Sequence, residues 1–173
     1  LMVPVIRRHS RPFLLAVLTY SLGAAVCPPS ASAQLGKPEG LYYKSWAIVI
    51  GVENYLLAPK IPGAIEDAKA VAQAFRRLGF DEVIELYDKD ASARRLQQIL
   101  SDFLPRKVGR HDRLVLYFAG HAGVTKDLDG LELGYLVPWD AQLGNVSKSV
   151  TFEQLKEFSR RSASKHTLFF LNA

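Results

Sequence analysis

His121 is the residue of this sequence that is best placed to do chemistry. It follows the apolar run Leu114–Phe118 and lies between Gly120 and Ala122. Small neighbours leave the imidazole free to reach into a crevice, and they leave the adjacent backbone amides open to a negative charge developing on oxygen. This setting suits general acid–base catalysis. By itself, a histidine after a strand is more often an ordinary loop residue than a catalytic one. Whether His121 can be catalytic therefore depends on the elements that position it.

Strand-like and helix-like segments alternate along the chain. Continuous apolar runs predict strands, of which 46–51 and 113–119 have the pattern of strands buried on both faces, and apolar residues at three- and four-residue steps predict amphipathic helices. The predicted strands cover residues 46–51, 83–87, 113–119 and 167–171, and the predicted helices cover 63–78, 92–104 and a segment that begins at Thr151 and buries Phe152, Leu155 and Phe158. Because a crossover helix returns the chain to the same end of a sheet, we expect an α/β fold: a mostly parallel sheet with helices on both faces.

The carboxyl edge of this sheet is where a site is expected. Residues 120–150 are predicted to form the only long loop, and they leave the end of the third strand, where open α/β sheets place their binding crevices. The last strand is expected to lie beside the third in the same sheet. The residue that follows Ala173 would then emerge at the same edge as His121.

The first 33 residues have the layout of a secretory signal. A cationic start precedes an apolar run at 13–26, and Ala31-Ser32-Ala33 supplies a small-residue cleavage site. We expect cleavage after Ala33, a linker at 34–44, and an exported protein, periplasmic or extracellular, that is free of the membrane. The alternatives are a membrane anchor, for which the run falls short of the roughly 20 residues needed, and lipidation at Cys27, which follows Val26 rather than a small residue.

The charge distribution argues against nucleic acid as a partner. The formal net charge is +5, but Arg7, Arg8 and Arg11 all lie in the predicted signal, which contains no acid. The rest of the chain is therefore close to neutral. It has no stripe of lysine and arginine interleaved with aromatic residues, which would indicate a nucleic-acid surface.

We expect no cofactor and no metal. Asp127, Asp129 and Gly130 match the opening of a calcium loop, but the remaining acidic ligands are missing at the required spacing, which favours a surface turn. No glycine-rich phosphate loop and no Gly-x-Ser-x-Gly elbow occurs either. No sequence motif therefore supports a nucleotide-binding site or a serine hydrolase site.

Six short motifs occur along residues 45–173 in the order that a known family uses. They are Ala47–Gly51 with Asn54-Tyr55, Glu66-Asp67-Ala68, Leu78-Gly79-Phe80, Tyr117–His121, Tyr135–Asp140 and Leu171-Asn172-Ala173. With these motifs, the region 45–173 resembles the p20 region of bacterial caspase homologues and metacaspases, which are peptidases of family C14.

The resemblance implies a caspase–haemoglobinase fold and hydrolysis of peptide bonds, in proteins or peptides, by a cysteine–histidine dyad. His121 matches the family histidine, and the backbone amide of Ala122 matches the oxyanion donor. The family places its cysteine roughly 50 positions after its histidine, so we expect it directly after Ala173, followed by a small-subunit half. Residues 1–173 by themselves should have no thiol-dependent activity.

Two residues, Asp67 and Asn172, stand at positions where metacaspases form a pocket for a basic substrate side chain. Asp67 matches one acid of the metacaspase pocket, although a favourable charge at a helix N-terminus explains it equally well. Asn172 stands where the family usually has a second acid, Ala122 where it usually has glycine, and Ala119 where metacaspases often have serine. These departures put cleavage after arginine or lysine in question. They leave three functions open: an active protease, an inactive peptide-binding relative, and a periplasmic domain that binds sugars or nucleotides.

Overall fold

The computed structural model describes residues 40–126 and 129–173. The predicted signal at 1–33, with Cys27, lies outside the described residues, as do most of the predicted linker and Asp127 of the calcium-loop pattern. Within the two described ranges, no helix is both long enough and apolar enough to cross a membrane.

Within residues 40–126 and 129–173, seven strands form two sheets. The strands are, in chain order, β1 (Ser45–Gly51), β2 (Glu82–Tyr87), β3 (Arg113–Ala119), β4 (Ala122–Lys126), β5 (Glu132–Leu136), β6 (Val150–Thr151) and β7 (His166–Asn172). A parallel sheet has the order β2-β1-β3-β7, and a smaller antiparallel sheet has the order β4-β5-β6. The helices are α1 (Ala64–Arg77), α2 (Ala93–Gln98), α3 (Leu104–Lys107) and α4 (Phe152–Arg161), and a π turn, Ile99–Phe103, joins α2 to α3.

Helices cover both faces of the parallel sheet. On one face the small side chains of α1 pack against alternate residues of β1 and β3, and on the other face α2, the π turn, α3 and α4 cover the remaining alternate residues. The first cluster includes Ala47, Val49, Ala64, Ala68, Ala72 and Tyr117, and the second includes Ile48, Ile50, Leu96, Leu104, Leu116, Phe118 and Leu155. The predicted α/β fold, with crossover helices on both faces, is confirmed.

The start of α1 lies close against the end of β1. A side chain at Gly51 would put its Cβ atom 2.7 Å from the Cβ atom of Ala68, which is too close for any packing. Only glycine facing alanine allows this approach. The close contact brings the first turn of α1, with Asp67, to the carboxyl edge of the parallel sheet.

The pairing of β3 with β7 is parallel, as expected. Its register places Ala119 opposite Asn172. His121 and the end of β7 therefore lie at the same edge of the sheet, and a continuation of β7 past Ala173 would come level with His121.

The prediction that residues 120–150 form a loop is wrong. Much of this segment is the hairpin of β4 and β5, to which the short strand β6 is added. These strands are only partly buried and contain Gly123 and Gly134, so they lack the continuous apolar pattern that predicted the other strands. Gly123 is required because a Cβ atom there would clash with the ring of Tyr135 on the neighbouring strand.

Two helix predictions need correction. The second helix does not end before Pro105 but continues to Lys107, because the π turn widens the backbone ahead of the proline, whose missing N–H then costs little. In α4, Leu155 and Phe158 are buried as predicted, but Phe152 is 42% exposed and lies over Gly134 instead. The predicted start of α4 is confirmed, since Thr151 and Gln154 form a complete capping box.

Candidate active site

The backbone of His121 is held from three directions. Its N–H donates to the hydroxyl of Tyr55 at 2.7 Å, and its carbonyl accepts from the N–H of Val137 at 2.9 Å. The preceding amide, of Gly120, donates to the carbonyl of Asn172 at 3.1 Å, which ties this turn to the end of β7. The turn that carries His121 is therefore fixed between the two sheets.

The imidazole of His121 is fixed as well. Its Nε2 atom lies 2.8 Å from the carbonyl oxygen of Pro59, and its ring lies against the ring of Tyr55 with 4.9 Å between the centroids. A carbonyl oxygen only accepts, so Nε2 must carry the proton. In the neutral ring, Nδ1 then has the free lone pair. No partner for Nδ1 is found among the described residues, so it is the nitrogen that can take up a proton.

Tyr55 reaches His121 only because residue 120 is glycine. A Cβ atom at Gly120 would clash with the Tyr55 hydroxyl. Burial raises the pKa of Tyr55 to about 12; the hydrogen bond from the His121 amide opposes this rise, and the charge of Asp88 adds to it. The phenol is therefore neutral at physiological pH and acts as a hydrogen-bonding support rather than as an acid or base.

The loop between β1 and α1, residues 52–63, carries both Tyr55 and Pro59. The carboxylate of Asp88 accepts the backbone N–H groups of Glu53 and Asn54 and the side-chain amide of Asn54, at 2.8 to 2.9 Å. From the other side, the indole of Trp139 donates to the carbonyl of Asn54 at 2.7 Å. The loop that positions the histidine is thus itself clamped.

Asp88 is strained and charged. Its φ angle of 45° lies in the left-handed region, which aspartate and asparagine tolerate better than most residues. Burial raises the pKa of its carboxyl, but the hydrogen bonds from Asn54 and Glu53 and the charge of Lys60 outweigh burial, so the net pKa is lowered. The carboxylate is therefore held in its charged form under the loop.

The four predicted site residues all lie at the carboxyl edge of the parallel sheet. Ala122 begins β4 directly after His121. Asn172 ends β7, where its side-chain amide is 3.5 Å from the hydroxyl of Tyr117. Asp67 is exposed in the first turn of α1, and its side chain makes no hydrogen bond or ion pair with another described residue. The structure thus assembles His121, Ala122 and Asn172 at one turn, with Asp67 on a separate element of the same edge.

Sequence reasoning assigned no role to Tyr55, Pro59, Asp88 or Trp139. Tyr55 and Trp139 stand inside the family-like motifs, but nothing in the pattern shows that Tyr55 supports the histidine and Trp139 the loop. In the sequence, nothing except its position after a predicted strand distinguishes Asp88 as a residue that could hold the loop. Within the described residues, no group of three or more His, Cys, Asp or Glu side chains could hold a metal ion.

Comparison with known proteins agrees with this architecture. Residues 44–173 match the caspase domain family. Metacaspase-1 of Meyerozyma guilliermondii is 29% identical over 99 residues, which cover 50% of this chain and 23% of that protein. The crystal structure of a Geobacter sulfurreducens protein superposes with a TM-score of 0.59 at 20% identity, over 74% of this chain and 49% of that chain. The chain thus spans less than half the length of each.

The parallel sheet, its crossover helices and the histidine at its carboxyl edge are the features of a caspase-like α/β domain, as the family match indicates. The match covers most of the chain, and the chain belongs to the caspase domain family of cysteine peptidases.

The Asp88→Asn variant tests the clamp through the pH dependence of folding. The folded pKa of Asp88 is lowered, so its charge stabilises the fold above about pH 4, the ordinary value for an unfolded aspartate, and this contribution is lost as pH falls through the lower folded pKa. Asparagine tolerates the same backbone angle but has no charge. We expect urea unfolding at pH 7 to show a loss of about 1 kcal/mol relative to the wild type, and a smaller loss near pH 3.

The exposed Asp90, two residues further on, provides the control. Asp90→Asn removes the same charge at an exposed position and should leave the free energy of unfolding at pH 7 within about 0.5 kcal/mol of the wild type. A loss for Asp88→Asn that is equal at both pH values would mean that its charge does not hold the loop.

Proposed function

We propose that this chain is part of a cysteine endopeptidase that hydrolyses peptide bonds with His121 and a thiol on the residue that follows Ala173. One observation carries the proposal: the imidazole of His121 is held by Pro59 and Tyr55 at the edge of the sheet where β7 ends. These contacts fix the ring beside the end of β7, where a dyad histidine has to stand.

The strand register supports the placing of the thiol. Ala119 pairs with Asn172, so the position after Ala173 comes level with His121 on the neighbouring strand. Neighbouring strands lie about 4.8 Å apart, so side chains at these two positions are within reach of one another. A thiol there has a proton acceptor beside it, which is the arrangement that activates a cysteine nucleophile.

The proposed reaction uses the two ring nitrogens for different tasks. The N–H group at Nε2 keeps donating to the carbonyl oxygen of Pro59 and holds the ring, while Nδ1 takes the proton of the thiol. The thiolate attacks the scissile carbonyl carbon, and the backbone N–H of Ala122 donates to the oxygen that becomes negative. Nδ1 then gives its proton to the leaving amine as the carbon–nitrogen bond breaks, and water hydrolyses the thioester.

A second candidate is an inactive relative that binds peptides or a partner without cutting. Asn172 and Ala122 favour it, since both depart from the family pattern at the site itself. Export also belongs to the proposal: a signal at 1–33 would deliver either protein to the periplasm or the exterior.

Replacing His121 with alanine tests the protease in the full-length protein. We expect thiol-dependent cleavage of a proteome-derived peptide library, read by mass spectrometry, to fall by about 10²- to 10⁴-fold, because the general acid–base is lost. His166→Ala is the matched control, since His166 begins β7 at the opposite edge of the sheet and should leave cleavage unchanged.

Two results would contradict the protease. Cleavage that survives His121→Ala or thiol alkylation would rule out catalysis by the cysteine–histidine dyad. A wild-type protein that binds peptides from the library but cuts none would favour the inactive relative.

Asp67→Asn tests the basic pocket. If Asp67 contacts an arginine or lysine before the cleaved bond, the variant should lose about 10-fold in kcat/KM for such substrates relative to substrates with a neutral residue there. Glu66→Gln, in the same turn of α1, is the control and should keep the wild-type preference. If both variants keep the preference, Asp67 serves only as a favourable charge at the N-terminus of the helix.

A further inference from the structure

Strand β4 leads directly away from the proposed catalytic centre along an open sheet edge. Its first residue, Ala122, follows His121, and the order β4-β5-β6 gives it a neighbouring strand on one side only among the described residues. A strand edge presents a row of backbone donors and acceptors that can pair with another extended chain.

The pairing with β5 shows which groups of β4 face outward. Val137 N–H donates to the carbonyl of His121, and the two residues lie opposite one another if the register of Ala122 with Leu136 is extended by one position. In an antiparallel pair, hydrogen-bonded and non-hydrogen-bonded positions alternate. The carbonyl of His121 and the backbone groups of Gly123 and Thr125 therefore face β5. Ala122, Val124 and Lys126 direct their N–H and carbonyl groups to the open edge.

This edge has few of the features that prevent pairing. It contains no proline, and its one charged residue, Lys126, is at the far end. Val124, in the middle, is 67% exposed, which is unusual for a valine in a strand. Natural edge strands are usually blunted by charges, prolines or bulges. An exposed β-branched residue at this point favours a partner that is itself an extended chain.

We propose that the open edge of β4 binds the part of a peptide substrate that follows the cleaved bond, as an added strand running parallel to β4. The proposal rests on the proposed function, because that function places the scissile carbonyl at the N–H of Ala122. Sheet extension of this kind is a recognised way to bind peptides through backbone hydrogen bonds.

The direction follows from the role of His121. Its ring gives a proton to the leaving nitrogen, so the segment behind that nitrogen lies on the histidine side, along β4. In a parallel arrangement, the second residue after the cleaved bond donates its N–H to the carbonyl of Ala122 and accepts from the N–H of Val124. Ala122 and Val124 are separated by one strand repeat, about 6.8 Å, which matches the repeat of an extended peptide.

The test measures binding, so that it does not depend on turnover. The full-length protein carrying His121→Ala is titrated with a pool of hexapeptides that are random at every position, with free amino ends and amidated carboxyl ends. Amide hydrogen exchange is followed by NMR. We expect slower exchange at Val124 and Lys126, with Gly123 and Thr125 unchanged because their amides already bond to β5. An acetylated pool with free carboxyl ends, which mimics the other half of a substrate, ends at the scissile carbon, so it should slow exchange at Ala122 rather than at Val124 and Lys126.

Two variants at one position isolate the backbone contact. Val124→Pro removes an outward N–H without touching the bonds to β5, and proline is tolerated at such edge positions. The loss of one hydrogen bond should weaken binding of the first pool about five- to tenfold. Val124→Ala keeps the N–H and should bind within about twofold of the parent.

The outcomes separate the two proposals. Exchange at Val124 that is unchanged at saturating peptide, equal protection by both pools, or equal affinity of the two Val124 variants would overturn the pairing, whether or not the wild-type protein cuts peptides. Protection at Val124 in a protein that cuts nothing would support the pairing and count against the protease.

Discussion

The central constraint in this structure is the parallel pairing of β3 between β1 and β7. It buries Leu116 and Phe118 under the helices on one face of the sheet, and Tyr117 and Ala119 under α1 on the other face. Because all neighbours run in the same direction, the turn after β3 and the end of β7 must meet at one edge. The position of His121, the proposed position of the thiol, and the start of β4 all follow from this single arrangement.

Burial and charge then act together to hold the histidine. Asp88 remains charged under the β1–α1 loop because three hydrogen bonds and Lys60 outweigh the cost of its partial burial. Tyr55 remains neutral because burial raises its pKa. A charged anchor for the loop and a neutral support for the ring give a site whose geometry is set before any substrate arrives, which is the condition for efficient proton transfer.

The strands β1 and β3 could be predicted because both of their faces are buried, whereas β7 was predicted from its apolar run although most of it is exposed. β1, β3 and α1 follow from continuous apolar runs and from helical spacing, and the capping box at Thr151 follows from local chemistry alone. β4 and β5 were missed because strands that are half exposed and rich in glycine lack that signal. His121 could be located from its neighbours, but its support by Tyr55, Pro59 and Asp88 could not, since these contacts join residues far apart in the chain.

The central claim is that Pro59 and Tyr55 fix His121 with its proton on Nε2 and its lone pair on Nδ1. Ring ¹⁵N chemical shifts of His121, measured at a pH where the imidazole is neutral, test this claim directly. The account predicts a protonated nitrogen at Nε2 and an unprotonated nitrogen at Nδ1, with a mixed signal appearing in a Tyr55→Ala variant, where the ring loses its support. A proton on Nδ1 in the wild-type protein, or rapid exchange between the two forms, would contradict it.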